Sequence, residues 1–534
     1  MRLRAPLPDC DERGDEKSVT KTAGRAGKYC SLERIMNGNR RGFLMAALEQ
    51  YAGLLFNFVT VAAVSRFLGP AETGMGVIGL SLTAIVFSLR EFASPEFLIK
   101  IDKVRDQDIQ TSLTFLMSVT VVLSAALYLS VGYFAEAYND PKLKLFLSIT
   151  IVAALVESLS LPIVALLRRE MAFGRLARIR TAGSGLGALV TIAMAFCGFG
   201  HMCFAFGLLA SALMTTGLAV AVHPLGTLLR PSLASFDTAW RFGIFLGGNA
   251  GLNKICMTLP QLLLGRFMPI SAVGIYNRAD TLSGLPDRII LSAVFTVAFP
   301  MLSAQVREGA NISQSYIRAL SYITVAYWPA QALLALLAYP AVHIVLGPGW
   351  DEAAPIVAIL SLACLFWFPA ILTYPLLMAL GQNREAFLSN LISRLVAVTV
   401  IGAAAFYGLL AVALGQFISL PIQMVIAILF VRRHVVFSYA ELGRALLKSG
   451  LVTLITLAIP LAMVAANGFS LEINRSTGVV MGFIAAFSWL GALFVARHPF
   501  AAEVEPILGW LVGKFRARSV QPPASRLAEW DGWR

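Results

Sequence analysis

The apolar residues of this chain gather into fourteen runs, each close to the length of about 20 residues that a helix needs to cross about 30 Å of hydrocarbon. The predicted spans are 43–64, 76–98, 111–134, 145–167, 179–199, 202–222, 241–265, 272–303, 319–346, 354–380, 386–406, 409–431, 449–466 and 477–496. Only the short turns Gly198 to His201 and Tyr407 to Gly408 divide the stretches 179–222 and 386–431. The pattern predicts an all-α integral membrane protein of about fourteen transmembrane helices. An even count places both termini on one side.

Basic residues test that count independently, because Lys and Arg concentrate in cytoplasmic loops. One set of loops holds Arg34, Arg40, Arg41, Lys100, Lys103, Arg105, Arg168, Arg169, Arg175, Arg178 and Arg180. The same side later receives Arg230, Arg307, Arg318, Arg384, Arg432, Arg433, Arg444, Lys448, Lys514, Arg516 and Arg518. The opposite loops carry little beyond Arg66, Lys142, Lys144, Arg266 and Arg475. This alternation predicts a multi-pass protein of a bacterial-type inner membrane with both termini cytoplasmic.

Composition agrees. Hydrophobic residues make up 57% of the chain and charged residues 14%, against the roughly 25% charged of a soluble protein. The net charge of +13 therefore reads as membrane orientation and not as a nucleic-acid surface. Cys10, Cys30, Cys197, Cys203, Cys256 and Cys364 show no CxxC spacing, which argues against disulfides and zinc. The stretch from Met1 to about Arg41 is polar with no signal-peptide pattern and reads as a cytoplasmic tail. Met36 stands just before the first apolar run, so residues 1–35 read as an extension ahead of an alternative start.

Short loop motifs repeat. Arg66-Phe67-Leu68-Gly69-Pro70, reaching Gly74, is echoed by Arg266-Phe267-Met268-Pro269, reaching Gly274, with Arg, Phe and Gly at the same mutual spacing. Glu170-Met171-Ala172-Phe173 is echoed by Glu385-Ala386-Phe387. Each echo comes six helices later, which predicts two parallel six-helix lobes around a central cavity, related by an axis along the membrane normal. The expected divisions are a polar tail 1–42, lobes 43–222 and 241–431 joined by a linker 223–240, two additional helices within 432–496, and a tail 497–534.

Three stretches carry a resemblance to a known family. They are Ser65-Arg66-Phe67-Leu68-Gly69-Pro70 through Gly74; Gly274-Ile275-Tyr276-Asn277-Arg278-Ala279 with Pro286 and Phe299-Pro300-Met301-Leu302-Ser303; and Leu346-Gly347-Pro348-Gly349-Trp350 with Ala354-Pro355 and Ala379-Leu380-Gly381. Together they resemble the Wzx-type polysaccharide and oligosaccharide-lipid flippases of the multidrug/oligosaccharidyl-lipid/polysaccharide exporter superfamily, over roughly residues 37–450. The resemblance implies alternating access of two lobes that moves an undecaprenyl-pyrophosphate-linked glycan to the outer face. It also implies membrane lipids, a polysaccharide polymerase and a chain-length regulator as partners.

Ionisable groups at membrane depth cost several kcal/mol unless paired or wetted, so each is a candidate for function. Glu49, Arg90, Glu91, Glu157, Lys254, Arg278, Asp280, Asp287, Arg288 and Arg394 qualify. Lys254 falls roughly 20 Å along its helix beyond Trp240, near mid-bilayer, with Asn249 and Asn253 just before it. An anionic pyrophosphate needs compensating cations, and Lys254, Arg278 or Arg288 could supply them. Glu49 and Asp280 are the ion-coupling candidates, Glu49 alternatively pairing with a cation across the lobe interface. Arg90 with Glu91 and Asp287 with Arg288 could instead be structural pairs, and Arg278 could snorkel. Gly243, Gly247 and Gly251 form a smooth strip that allows close helix approach or bending, packing being the expected use.

No phosphate loop ending in Gly-Lys-Ser/Thr is present and the histidines form no HExxH pair. No cofactor or metal is expected, and an ion gradient or the membrane potential is left as the energy source. Competing readings are a multidrug or cation antiporter, a membrane polysaccharide polymerase or ligase, and a non-transporting scaffold.

Overall fold

The computed structural model describes residues 47–101, 103–223, 230–289, 312–468 and 470–506, with Met45 and Gln305 as isolated positions. Described residues form helices and connecting turns, and among them no strand occurs. Each predicted apolar run overlaps a helical segment of the described residues. In chain order these are α1 Ala47–Val64, α2 Pro70–Lys100, α3 Asp106–Ala137, α4 Lys142–Arg169, α5 Phe173–Phe196 and α6 Met202–Val222. There follow α7 Phe236–Phe267, α8 Ile270–Ser283, α9 Ile312–Leu336 and α10 Ala353–Ala379. The last four are α11 Asn383–Tyr407, α12 Leu409–Arg432, α13 Tyr439–Ala466 and α14 Arg475–Val495. Among the described residues, 12 of these are long and apolar enough to cross a membrane. The other two, α7 and α8, carry the candidate charges Lys254, Arg278 and Asp280. Part of the predicted span 272–303 lies outside the described residues.

Several helices overrun their apolar runs at both ends. Once the hydrocarbon is crossed, continuing the helix satisfies backbone groups that would otherwise need other partners. Large apolar side chains cover the outside of the bundle, as Leu129 (83% exposed) and Phe487 (73% exposed) illustrate. Lipid solvates such a surface and water does not.

The helices α3 to α6 pack on one another in the first half, and α8 to α12 in the second. A shared core joins the halves: Ile78, Phe146 and Leu147 lie in the same buried cluster as Val273, Trp350 and Val357. α13 packs on α9 and α14 on α13. Arg168, Arg178, Arg384 and Arg432 mark one end of the bundle, its basic face.

Two helices break beside cavities. α2 tightens into a 3₁₀ turn at Leu89–Ala93. α10 does the same at Leu365–Trp367 before restarting at Phe368 with Pro369 in its first turn. Proline cannot donate a backbone N–H and favours a helix start. The indole of Trp328 donates to the Leu365 carbonyl at 2.9 Å, supplying a partner at the break.

Candidate functional site

α7 is placed by its glycines. A methyl group on Gly243 would overlap the Phe92 carbonyl, and one on Gly247 the backbone of Glu91. The helix can therefore press directly on the 3₁₀ turn of α2, so the strip serves close packing between the two halves of the molecule. Two turns further along, Lys254 opens onto a cavity of about 540 Å³ whose lining includes Arg90, Glu91, Glu157, Ser88 and Thr150.

Within that cavity Arg90 is committed. Its Nη2 lies 2.9 Å from Glu157 Oε2, and its Nη1 donates to the Ala154 carbonyl at 3.2 Å and to Ser158 Oγ at 3.3 Å. The neighbouring pair Arg90 and Glu91 is therefore not the ion pair that forms. Lys254 is exposed to the cavity, and among the described residues no ion pair engages it. Glu91 shares the lining, so the cavity is formally balanced. Attraction for an anion is local to the Lys254 ammonium.

Beyond α7 a second cavity of about 380 Å³ lies in the other half. Asp280, Asp287, Arg288 and Arg394 line it together with the amides of Gln261, Gln416 and Gln423 and the ring of Trp367. It begins only two residues beyond Lys254, at Cys256 and Met257. α7 thus contributes to both cavities within one helical turn.

The remaining candidates stand apart. Glu49 accepts from Arg180 Nη1 at 3.3 Å beside a third cavity of about 690 Å³ that Arg168 also lines. Its partner belongs to α5 in the same half and does not lie across the interface. Arg278 is 4% exposed, and its Nε and Nη2 have no hydrogen-bond partner among the described residues. It does not reach water by snorkelling. Asn253 accepts from Asn390 Nδ2 at 3.4 Å, linking α7 to α11. The side chain of Asn249 lies outside the described residues. The structure thus brings Asp280 and Arg288 together, sets Lys254 on the neighbouring cavity, and leaves Glu49 and Arg278 elsewhere. Sequence reading had passed over Trp367, Gln416 and Gln423. The seven-residue spacing of the two glutamines inside an apolar run was a usable signal, because it sets both on one helical face.

On the face opposite the basic one, the repeated motifs meet. A methyl group on Gly74 would overlap the Ile270 carbonyl, and one on Gly274 would overlap the Pro70 carbonyl. Each such methyl carbon would also lie 3.0 Å from the other glycine's amide nitrogen. Contacts this reciprocal are what a two-fold axis between α2 and α8 produces. Beside the crossing, the buried Trp350 donates from Nε1 to the Ser65 carbonyl at 2.7 Å, and Arg66 Nη2 donates to the Ile344 carbonyl at 3.0 Å.

A family model described as polysaccharide biosynthesis protein matches residues 63–355, more than half of the chain. The chain belongs to this polysaccharide biosynthesis protein family. The matched range opens and closes beside the two motifs that meet at Trp350. Among its relatives, the succinoglycan biosynthesis transport protein ExoT of Rhizobium meliloti (strain 1021) is 24% identical over 65% of this chain and 70% of its own length. The lipopolysaccharide biosynthesis protein WzxC of Escherichia coli (strain K12) is 22% identical over 57% of this chain. This chain spans 62% of that relative's length. The resemblance drawn from the loop motifs is borne out by these matches.

Solved structures agree on the fold. The lipid II flippase MurJ in an inward closed conformation superposes with a TM-score of 0.70 at 15% identity, over 85% of this chain and 98% of that chain. An inward-facing multidrug resistance MATE family transporter gives 0.58 at 14% identity, over 74% of this chain and 99% of that chain. This polysaccharide biosynthesis family member therefore has the helical architecture of membrane transporters.

Proposed function

We propose that this chain flips undecaprenyl-pyrophosphate-linked oligosaccharide repeat units across the inner membrane for surface or exopolysaccharide synthesis, its two halves alternating access to the interior. The observation that carries the reading is Lys254, an ammonium without an ion-pair partner among the described residues, facing a cavity beside the seam between the halves. A diphosphate leaving the headgroup region loses its hydration, and a cation on a flexible stem replaces part of it. Membership of a polysaccharide biosynthesis family and relatives named for succinoglycan transport and lipopolysaccharide biosynthesis support a glycan cargo. The basic loops support an orientation with both termini in the cytoplasm. Energy is proposed to come from an ion gradient or the membrane potential. A polymerase and a chain-length regulator would receive the flipped unit.

The test is a chromosomal deletion followed by assay of surface polysaccharide and extraction of lipid-linked oligosaccharides, with sidedness probed in inverted vesicles. Loss of polymer with repeat units held on the cytoplasmic face is the expected result. Units accumulating on the outer face would indicate a polymerase or ligase. Unchanged polymer and lipids would overturn the reading in favour of small-molecule antiport.

A further inference from the structure

The cavity of the second half has chemistry that the diphosphate does not use. Asp287 Oδ1 is a buried acceptor and Gln416 Nε2 a buried donor, and neither has a hydrogen-bond partner among the described residues. Both line the 380 Å³ cavity. Leaving such groups unmatched is costly in a low-dielectric interior, so the cavity is built to receive a molecule offering donors and acceptors together.

Charge narrows the class. Two carboxylates, Asp280 and Asp287, face the same space as two guanidinium groups, Arg288 and Arg394. Among the described residues none of the four forms an ion pair. A lone cation would meet two arginines and a lone anion two carboxylates. A neutral polyol meets neither penalty, because its hydroxyls accept from guanidinium and amide groups and donate to carboxylates. Trp367 adds a half-buried aromatic face, the apolar complement to the C–H side of a sugar ring. The volume lies at the small end of ligand sites, which run from about 300 to 1,000 Å³. That suits one or two sugar rings.

We infer that this cavity, bounded by α7, α8 with the residues that follow it, α9, α10, α11 and α12, is a glycan subsite that holds sugar hydroxyls of the cargo while its diphosphate engages Lys254. The inference rests on the flippase reading above and adds to it where the sugar sits. Asp287 and Gln416 orient the sugar and so set which glycans pass.

The experiment uses the full-length protein in nanodiscs with two probes. One is undecaprenyl diphosphate; the other is the lipid-linked oligosaccharide extracted from the deletion strain. Wild type is expected to bind the glycan-bearing lipid at least about tenfold more tightly than the bare lipid, the scale of one or two well-made hydrogen bonds. Asp287→Asn and Gln416→Leu each remove most of that difference while leaving affinity for bare undecaprenyl diphosphate unchanged. Lys254→Ala weakens both probes alike. If the two cavity variants keep the full preference for the glycan, the site is a hydrated structural cavity and the inference fails while the flippase reading stands. If wild type binds neither probe, both fall.

Discussion

Lys254 and Arg90 are cations of one cavity with different commitments. Arg90 gives its guanidinium to Glu157, Ser158 and the Ala154 carbonyl, so removing it would strand a carboxylate at membrane depth and disturb α4. Lys254 holds no comparable partner among the described residues and can be removed with little structural loss. Lys254→Ala is therefore expected to lower polymer export at least about tenfold, the scale of one charge-assisted contact. Membrane levels should stay at wild type, and Lys254→Arg should restore most of the export. Quantifying surface polymer against immunoblotted protein checks this, and normal export by the alanine variant would remove Lys254 from the site.

Elements are joined by polar contacts that the apolar pattern does not announce. His498, just beyond α14, is buried with its Nε2 2.9 Å from Ser321 Oγ of α9 and 3.3 Å from Ser449 Oγ of α13. Its Nδ1 accepts from the Phe500 amide at 3.2 Å, which assigns a neutral ring with the proton on Nε2. Burial, and secondarily Lys448, pushes its pKa down to about 4 from 6.5. The docked segment thus needs a neutral ring, whereas the undocked ring titrates near 6.5. Docking is complete above that value and weakens as pH falls, by up to about tenfold per pH unit, until the docked ring also protonates near 4. Hydrogen exchange of residues 498–506, corrected for intrinsic rates, should show protection falling from pH 7 to pH 5 and a His498→Gln variant without that dependence. An equal dependence in the variant would reject the assignment.

Apolar runs located the helices because a membrane imposes length and composition on each one independently. The glycine strip told that α7 packs closely, but not that its partner is the 3₁₀ turn of α2. Which acidic group Arg90 meets depends on the packing of α2 against α4, so its chain neighbour Glu91 was the natural guess and Glu157 the outcome. The second cavity was half legible. Asp280, Asp287, Arg288 and Arg394 stood out as charges in apolar runs, while Trp367 reached the cavity only because α10 breaks beside it.

At the scale of the whole molecule, alternating access requires that the face opposite the basic one open and close. There, among the described residues, hydrogen bonds from Trp350 to Ser65 and from Arg66 to Ile344 link the halves beside the crossing of Gly74 with Gly274. At the crossing itself the glycines bring the backbones together without interlocking side chains, so opening there is resisted mainly by the buried cluster beneath it, which Val273 and Trp350 share with Ile78 and Phe146. Any side chain at the crossing should hold the face open. Gly74→Leu and, independently, Gly274→Leu are expected to abolish export while the protein still inserts. The direct readout is a Ser65→Cys reporter in a Cys197→Ser background. Ser65 is 2% exposed beneath Trp350, so an impermeant thiol reagent added to whole cells should label the cysteine slowly in the parent and at least several-fold faster in either leucine variant. Trp350→Phe, which loses the indole donor and part of a fully buried ring, should speed labelling less than either leucine variant and keep partial export, as expected for one net hydrogen bond of about 1 kcal/mol together with a small cavity. Unchanged labelling in both leucine variants would mean that the motifs meet here for structural reasons alone and that the molecule opens elsewhere.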